Sequence, residues 1–197
     1  MARKNQLTAC SPLPWSQTIK LIETLKENGD YRFSLLIALG IYAGLRISDM
    51  LNLRWNQIIN SDILDLQERK TGKIRRVYLN ENLQKLIRLC YKKITEKNPI
   101  VISDSLVFIN RFNAKVISVQ YVDRKLAILF KQNQIFCRNY GSHSLRKTFG
   151  KQVFEMHGST EASLILLSDL FNHASTKTTR RYIGLEQEKF QQAYMSL

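Results

Sequence analysis

Acidic side chains are scarce: 16 Asp and Glu stand against 30 Lys and Arg, which leaves +14 at pH 7 and a pI near 9.9. Charge of that size and sign points to a polyanionic partner, with nucleic acid ahead of an anionic membrane surface. Cysteine is also sparse. Cys10, Cys90 and Cys137 are odd in number and not closely paired, and no Cys/His cluster has zinc-site spacing, so they read as reduced and structural. A long apolar run is missing as well, since Phe33 to Leu45 falls short of the roughly 20 residues that span a bilayer and runs straight into Arg46. The first fifteen residues hold Arg3, Lys4, Pro12 and Pro14 but no continuous apolar core, which argues against a secretory signal. These absences lead to the expectation that the chain stays in the cytoplasm, off the membrane.

What is present suits one domain. With 197 residues, 44% of them hydrophobic, the chain builds one substantial core, whereas two would each be marginal. Trp15, Ile19, Ile22 and Leu25 recur at helical spacing up to Gly29, and Asp30 is placed to cap a second helix through Leu35, Leu36, Leu39 and Tyr42 that stops at Gly44. A further turn or two is expected from Ile47 to Leu53. Ile63 to Gln67 and Ile74 to Leu79 are β-prone runs around Lys70-Thr71-Gly72-Lys73, the pattern of a hairpin with Lys70 at its tip. Leu106 to Ile109 is a candidate extra strand. Helical patterns return from Asn80, from Val119 to Phe130, from a Ser142 or Ser144 cap to Met156, from Thr160 to Phe171, and from Ser175 or Thr176 to Tyr182. Glu186 to Leu197 reads as a last amphipathic helix. The sum is a mainly α domain with a small antiparallel sheet, divided as a polar leader (1–14), a main domain (15–184) and a C-terminal helix (185–197).

Three groups of residues have the chemistry of a phosphate site. Arg46 and Asp49 lie three apart at a helix start, where the carboxylate can hold the guanidinium as a clamp; alone, the pair is more plainly a surface ion pair. His143 and Arg146 share that spacing in the first turn of a helix, whose free backbone N–H groups attract anions, although a His-x-x-Arg pair also arises by chance. His173 is followed nine residues later by Tyr182, with Thr178, Thr179, Arg180 and Arg181 between, and a structural tyrosine is the plainer reading of that residue. His157, beside Gly158, reads as a surface histidine.

Taken in order, Gly44-Leu45-Arg46 with Asp49, Lys70, His143-x-x-Arg146, Asn172-His173 and Tyr182 resemble the tyrosine recombinase (phage integrase) family from about Thr18 to Leu197. The resemblance implies that family's catalytic-domain fold and site-specific cutting and rejoining of double-stranded DNA through a 3′-phosphotyrosine, with no cofactor and no metal. It assigns Arg46 and Arg146 to the scissile phosphate, His143 and His173 to its non-bridging oxygens, Tyr182 to nucleophilic attack, Lys70 to general acid catalysis and Asp49 to orienting Arg46. Lys73, Arg75, Arg180 and Arg181 become candidate DNA contacts. It further implies a homo-oligomer on DNA, a tetramer, with accessory DNA-bending proteins and a C-terminal helix exchanged between protomers or packed on its own chain. Positive charge from Arg46, Arg146 and His173 is expected to favour the Tyr182 phenolate.

The chain departs from the family pattern in four places. Asp49 stands where Glu is commoner, and Phe171-Asn172-His173 replaces Leu-Gly-His. Extra residues near His157 to Ala162 predict a longer loop. Little precedes the first helix where most members carry a separate DNA-binding domain, so the chain is either a short member, like the fimbrial-switch recombinases, or a catalytic fragment. Two other readings stay open at this point: a DNA-binding module without catalysis, for which Arg69, Arg75, Arg76, Arg180 and Arg181 would suffice, and a type IB topoisomerase.

Overall fold

A computed structural model describes residues 10–67, 74–110, 115–137, 139–185 and 193–196. Lys70 and Lys73 lie outside the described residues, as does most of the expected C-terminal helix. The described helices are α1 (Trp15–Glu27), α2 (Tyr31–Tyr42), α3 (Ile47–Met50), α4 (Glu81–Lys97), α5 (Val119–Gln132), α6 (Ser142–Met156), α7 (Glu161–Phe171) and α8 (Thr176–Ile183), and the strands are β1 (Ile63–Gln67) and β2 (Ile74–Tyr78).

Helix α2 is the axis of the domain. Its residues from Phe33 to Ile41 are all buried, and α1, α4 and α6 pack around it. A helix apolar on every side has nowhere to go but the interior. The amphipathic α4 and α5 lay single stripes on the same core, Leu83, Leu86, Ile87, Cys90 and Ile94 from one, and Val122, Leu126, Leu129 and Phe130 from the other. Asp30, Asn80, Thr160 and Ser175 cap α2, α4, α7 and α8 by accepting the backbone N–H three residues on. No described helix is long and apolar enough to cross a membrane.

A smaller second core, Phe154, Leu164, Leu167, Phe171 and Ile183, joins α6, α7 and α8, with Phe149, Val153, Tyr182 and Leu185 packed against it. Gly150 permits this approach, because a β-carbon there would stand 2.8 Å from Ile183 Cγ2 and 2.9 Å from Phe171 Cε2. Tyr182 is therefore carried by an element that α6 and α7 hold close.

Strands β1 and β2 pair antiparallel from Ile63 opposite Tyr78 to Gln67 opposite Ile74, the expected hairpin. The helix from Ile47 is one turn, within the turn or two expected, and a 3₁₀ turn at Trp55–Gln57 follows it, burying Trp55 completely. Three details differ from expectation. Leu106 to Ile109 makes two isolated bridges, Arg54 with Leu106 and Ile109 with Val116, in place of a strand. Neither Ser142 nor Ser144 caps α6 as expected: the carboxylate of Asp123, on α5, accepts from Ser142 N at 2.7 Å, while Ser144 Oγ accepts from Gly141 N at 3.3 Å. The longer loop near His157 is absent, since only residues 157–160 separate α6 from α7, turned by positive φ at Gly158 and Ser159.

Residues 10–14 of the leader pack on the domain. Leu13 is 4% exposed, its amide donates to Thr148 Oγ1 at 2.8 Å, and Ser11 N donates to Asn139 O at 3.2 Å, which lays residues 10–14 along the start of α6.

Candidate active site

The chain turns sharply after α2. Gly44 takes φ +59°, a left-handed conformation that costs any side chain-bearing residue, and a β-carbon there would lie 2.5 Å from Phe149 Cδ1. The turn points the Gly44 carbonyl inward and sets Arg46, in extended conformation, at the start of α3. Asp49, in the same helical turn, accepts from Ser48 Oγ at 3.3 Å and bears electrostatically on Arg146.

Arg146 is the centre of the site. It is 2% exposed; Nη1 donates to Gly44 O, Nη2 donates to Phe171 O at 3.3 Å, and the guanidinium lies over the Phe171 ring, 4.1 Å from its centroid. One side chain thus ties the turn after α2 to the end of α7. Burial, then the cations Arg75 and Arg46, push its pKa down to about 9, against the opposing pull of Tyr182 and Asp49. It stays charged at neutral pH, and charge held under that penalty is relieved by an anion.

Both histidines join it. His143 keeps an exposed face one helical turn before Arg146, and burial of its inner edge, with Lys147, Arg146 and Arg46, outweighs Asp123 and lowers its pKa below the usual imidazole value. His173 is half-buried; its pKa is lowered by burial and then by Arg146 and Arg46. Each is therefore predominantly neutral at pH 7, a hydrogen-bonding imidazole more than a fixed cation. His173 follows Asn172, which takes φ 53° at the C-terminus of α7: asparagine tolerates the left-handed position that glycine would otherwise fill, which accounts for Asn in place of Gly. Nδ1 of His173 lies 2.9 Å from Thr179 Oγ1, and that hydroxyl lies 3.0 Å from Ser168 Oγ, both hydroxyl-bearing residues being buried.

Tyr182 meets His173 and Phe171 edge-on, at centroid separations of 5.2 and 5.4 Å. Arg146 and Arg46 draw its pKa down, Arg146 also by hydrogen bonding, but burial is the larger effect and the net shift is upward. The expected pull of Arg46 and Arg146 toward the phenolate is present, but burial of the ring by tertiary packing, invisible in sequence, outweighs it in the DNA-free protein.

Residues 13–189 match the sequence profile of the phage integrase family. The chain belongs to that family. It is 29% identical over 184 residues to the probable integrase/recombinase YoeC of Bacillus subtilis, covering 90% of this chain and 94% of that protein. It is 26% identical to the tyrosine recombinase XerH of Campylobacter jejuni, across 85% of this chain but only 45% of that relative, and so spans about half its length. Among solved structures, the XerA recombinase superposes with a TM-score of 0.71 at 21% identity, over all of this chain and 66% of the other, and XerH bound to a palindromic difH substrate with 0.70 at 19%, over 98% and 54%. The fold is that of a tyrosine recombinase catalytic domain, mainly helical with one small antiparallel sheet.

The other candidates of this integrase-family domain fall around that centre in different ways. Arg75, on β2, is half-buried, donates to Leu170 O at 3.4 Å and is the cation that weighs most on Arg146, so it stands beside that arginine. Arg76 is held by Asp65 across the hairpin through two bonds of 2.9 Å. Arg180 is turned onto Glu161 of α7, whereas Arg181 is exposed. His157 sits in the α6–α7 turn, outside the cluster. Sequence reasoning passed over Lys147, whose ammonium lies 5.1 Å from the centroid of the Tyr182 ring, and Thr179, which meets His173. Lys147 adjoins a singled-out arginine, but nothing in its spacing told that it turns inward.

Proposed function

We propose that the gathering of Arg46, His143, Arg146 and His173 about Tyr182 is a phosphodiester-cleaving site, and that the chain is a site-specific DNA recombinase. Tyr182 Oη attacks the scissile phosphorus, the bond from phosphorus to the 5′-oxygen breaks, and the 5′-hydroxyl leaves with a proton from Lys70, a role that rests on the resemblance alone. The phosphotyrosine conserves the energy of the broken bond, so a 5′-hydroxyl from another strand reverses the step without a nucleotide cofactor. Arg46 and Arg146 stabilise the charge growing on the pentavalent phosphate, with His143 and His173 donating to its non-bridging oxygens; each such donor is worth about 3 to 4 kcal/mol of barrier. Asp49 steadies Arg46. The upward shift of Tyr182 fits a nucleophile kept protonated until DNA is bound, when its proton leaves as attack proceeds.

The observation that carries this reading is Arg146, almost wholly buried and stretched between the Gly44 turn and the last turn of α7 beside Tyr182. The solved XerH structure named above is a complex with DNA, and double-stranded DNA is the natural counterpart of the +14 charge, with Arg75, Arg181 and Lys73 as backbone contacts and Arg180 once freed from Glu161. The protein would then act in the cytoplasm at the nucleoid, as a tetramer on its site with accessory DNA-bending proteins, its residues after Leu185 either exchanged between protomers or packed on their own chain. The division into leader, catalytic domain and C-terminal helix goes with that assembly.

Footprinting on DNA flanking its own gene identifies a bound site, and a nicked duplex carrying that site traps the covalent intermediate. The expected result is a denaturant-resistant protein–DNA adduct with the wild type and none with Tyr182→Phe, whose duplex affinity stays within about twofold because one hydroxyl adds little to a contact dominated by phosphates. An adduct that persists in Tyr182→Phe places the nucleophile elsewhere. Size-exclusion mass measurement on the bound duplexes reads the stoichiometry.

A further inference from the structure

We propose that Lys147 is a positioning residue for the nucleophile: clamped by the backbone carbonyl of Cys10, its ammonium seats the ring of Tyr182 for attack. The inference rests on the reading of Tyr182 as nucleophile.

Lys147 is 7% exposed, an unusual place for an ammonium, and among the described residues it forms no ion pair that would repay its lost hydration. Two groups answer the charge instead. Nζ donates to Cys10 O at 2.6 Å on one side and lies 5.1 Å from the centroid of the Tyr182 ring on the other. The second distance is within the range over which a cation is drawn to an aromatic ring, and the attraction strengthens where water is excluded.

The carbonyl that holds Lys147 is itself held. Ser11 N to Asn139 O and Leu13 N to Thr148 Oγ1 tie the segment on either side of Pro12 to the start of α6, and the buried Leu13 anchors it in the core. The strap, Lys147 and Tyr182 therefore form a stack across α6 and α8. Phe171 and His173 meet the same ring edge-on, at interplanar angles of 80° and 73°. With an ammonium and two aromatic edges around it, the ring keeps its hydroxyl toward Arg146, and the nearby positive charge favours electron density growing on the phenol oxygen as the proton leaves.

Single-turnover cleavage by the full chain tests this, on the footprinted duplex built with a 5′-bridging phosphorothiolate. Its thiolate leaving group needs no general acid, so Lys70 drops out of the pH profile. Lys147→Met keeps the side chain's bulk and removes its charge; cleavage should slow about tenfold while duplex affinity stays within about twofold, and Lys147→Arg should recover most of the rate. Burial lowers the pKa of Lys147 below the usual lysine value, so the wild-type rate should fall on the alkaline side as the ammonium is lost. The guanidinium of Lys147→Arg should hold its own rate past that point in the DNA complex, where the bound phosphate raises the pKa of Arg146. If Lys147→Met fails to fold by circular dichroism, Lys147→Gln takes its place with the same readouts. Wild-type rates in the neutral variant, or an alkaline limb unchanged in Lys147→Arg, overturn the inference while the recombinase reading stands. No adduct with wild type removes that reading, and this inference with it.

Discussion

At the scale of single residues, the proposed cleavage depends on which nitrogen of His173 carries the proton. A donor to a phosphate oxygen must present Nε2–H, which requires Nδ1 to accept. Thr179 Oγ1, 2.9 Å away, can supply that hydrogen if it receives one from Ser168 Oγ at 3.0 Å, a short relay that fixes the imidazole in the useful tautomer. Thr179 also lies 3.4 Å from the Ser175 carbonyl, the competing acceptor that would reverse the relay. Thr179→Val removes the hydroxyl at nearly constant volume. Losing one buried hydrogen bond, with its partner left unsatisfied, costs about 1 to 2 kcal/mol, so cleavage should fall about five- to thirtyfold with duplex affinity unchanged. Phosphotyrosine formation measured under single turnover checks it, and an undiminished rate would mean that the tautomer is set by something else.

At the scale of elements, the turn after α2 does two things at once. It permits the approach of Phe149 and it aims the Gly44 carbonyl at Arg146. Gly44→Ala adds left-handed strain of about 1 to 2 kcal/mol and a clash against Phe149 of about 1 to 3 kcal/mol. For a domain of this size that total lowers the melting temperature by about 5 to 15 °C. Cleavage should fall as well when assayed below the melting point, because relieving the clash rotates the carbonyl away from Arg146. A variant that melts lower but cleaves at the wild-type rate would separate the turn from the site. Caps supplied by the residue just before a helix were readable in advance at Asp30 and Thr160, and at Ser175 as one of two candidates, since a cap is local chemistry written within three or four residues. The cap of α6 was not, because Asp123 comes from another helix, 19 residues away in sequence. The turn after Met156 was misjudged for a related reason: whether extra residues extend a loop or lengthen helices is decided by what those helices pack against, and α7 finds a core in Phe154, Leu164 and Phe171.

At the scale of the whole molecule, the histidines sit in the field of a chain that carries +14, beside two arginines, and the electrostatics of the site read as linkage. The likeness of Arg46, His143, Arg146 and Tyr182 to a phosphate site was legible because residue type and spacing survive in sequence; the direction in which each group titrates was not, because burial dominates every shift among the two histidines, Arg146 and Tyr182. With the folded pKa values of His143 and His173 held below the unfolded value of about 6.5, the unfolded chain binds protons that the folded chain refuses. Stability from these groups is complete above the unfolded pKa and is lost as pH falls below it. Melting temperature should therefore drop between pH 7.5 and 5.5, and less steeply in a His143→Gln, His173→Gln double variant; equal slopes would show that other groups set the acid limb. A phosphate in the site reverses the sign, because an adjacent anion raises both imidazole pKa values and binding then takes up protons. Duplex affinity at fixed salt should accordingly rise from pH 7.5 to 6 in the wild type, and the double variant should lose that dependence while keeping its affinity at pH 7.5 to within the loss of two neutral donors. Affinity that falls on acidification would place the phosphate away from these histidines.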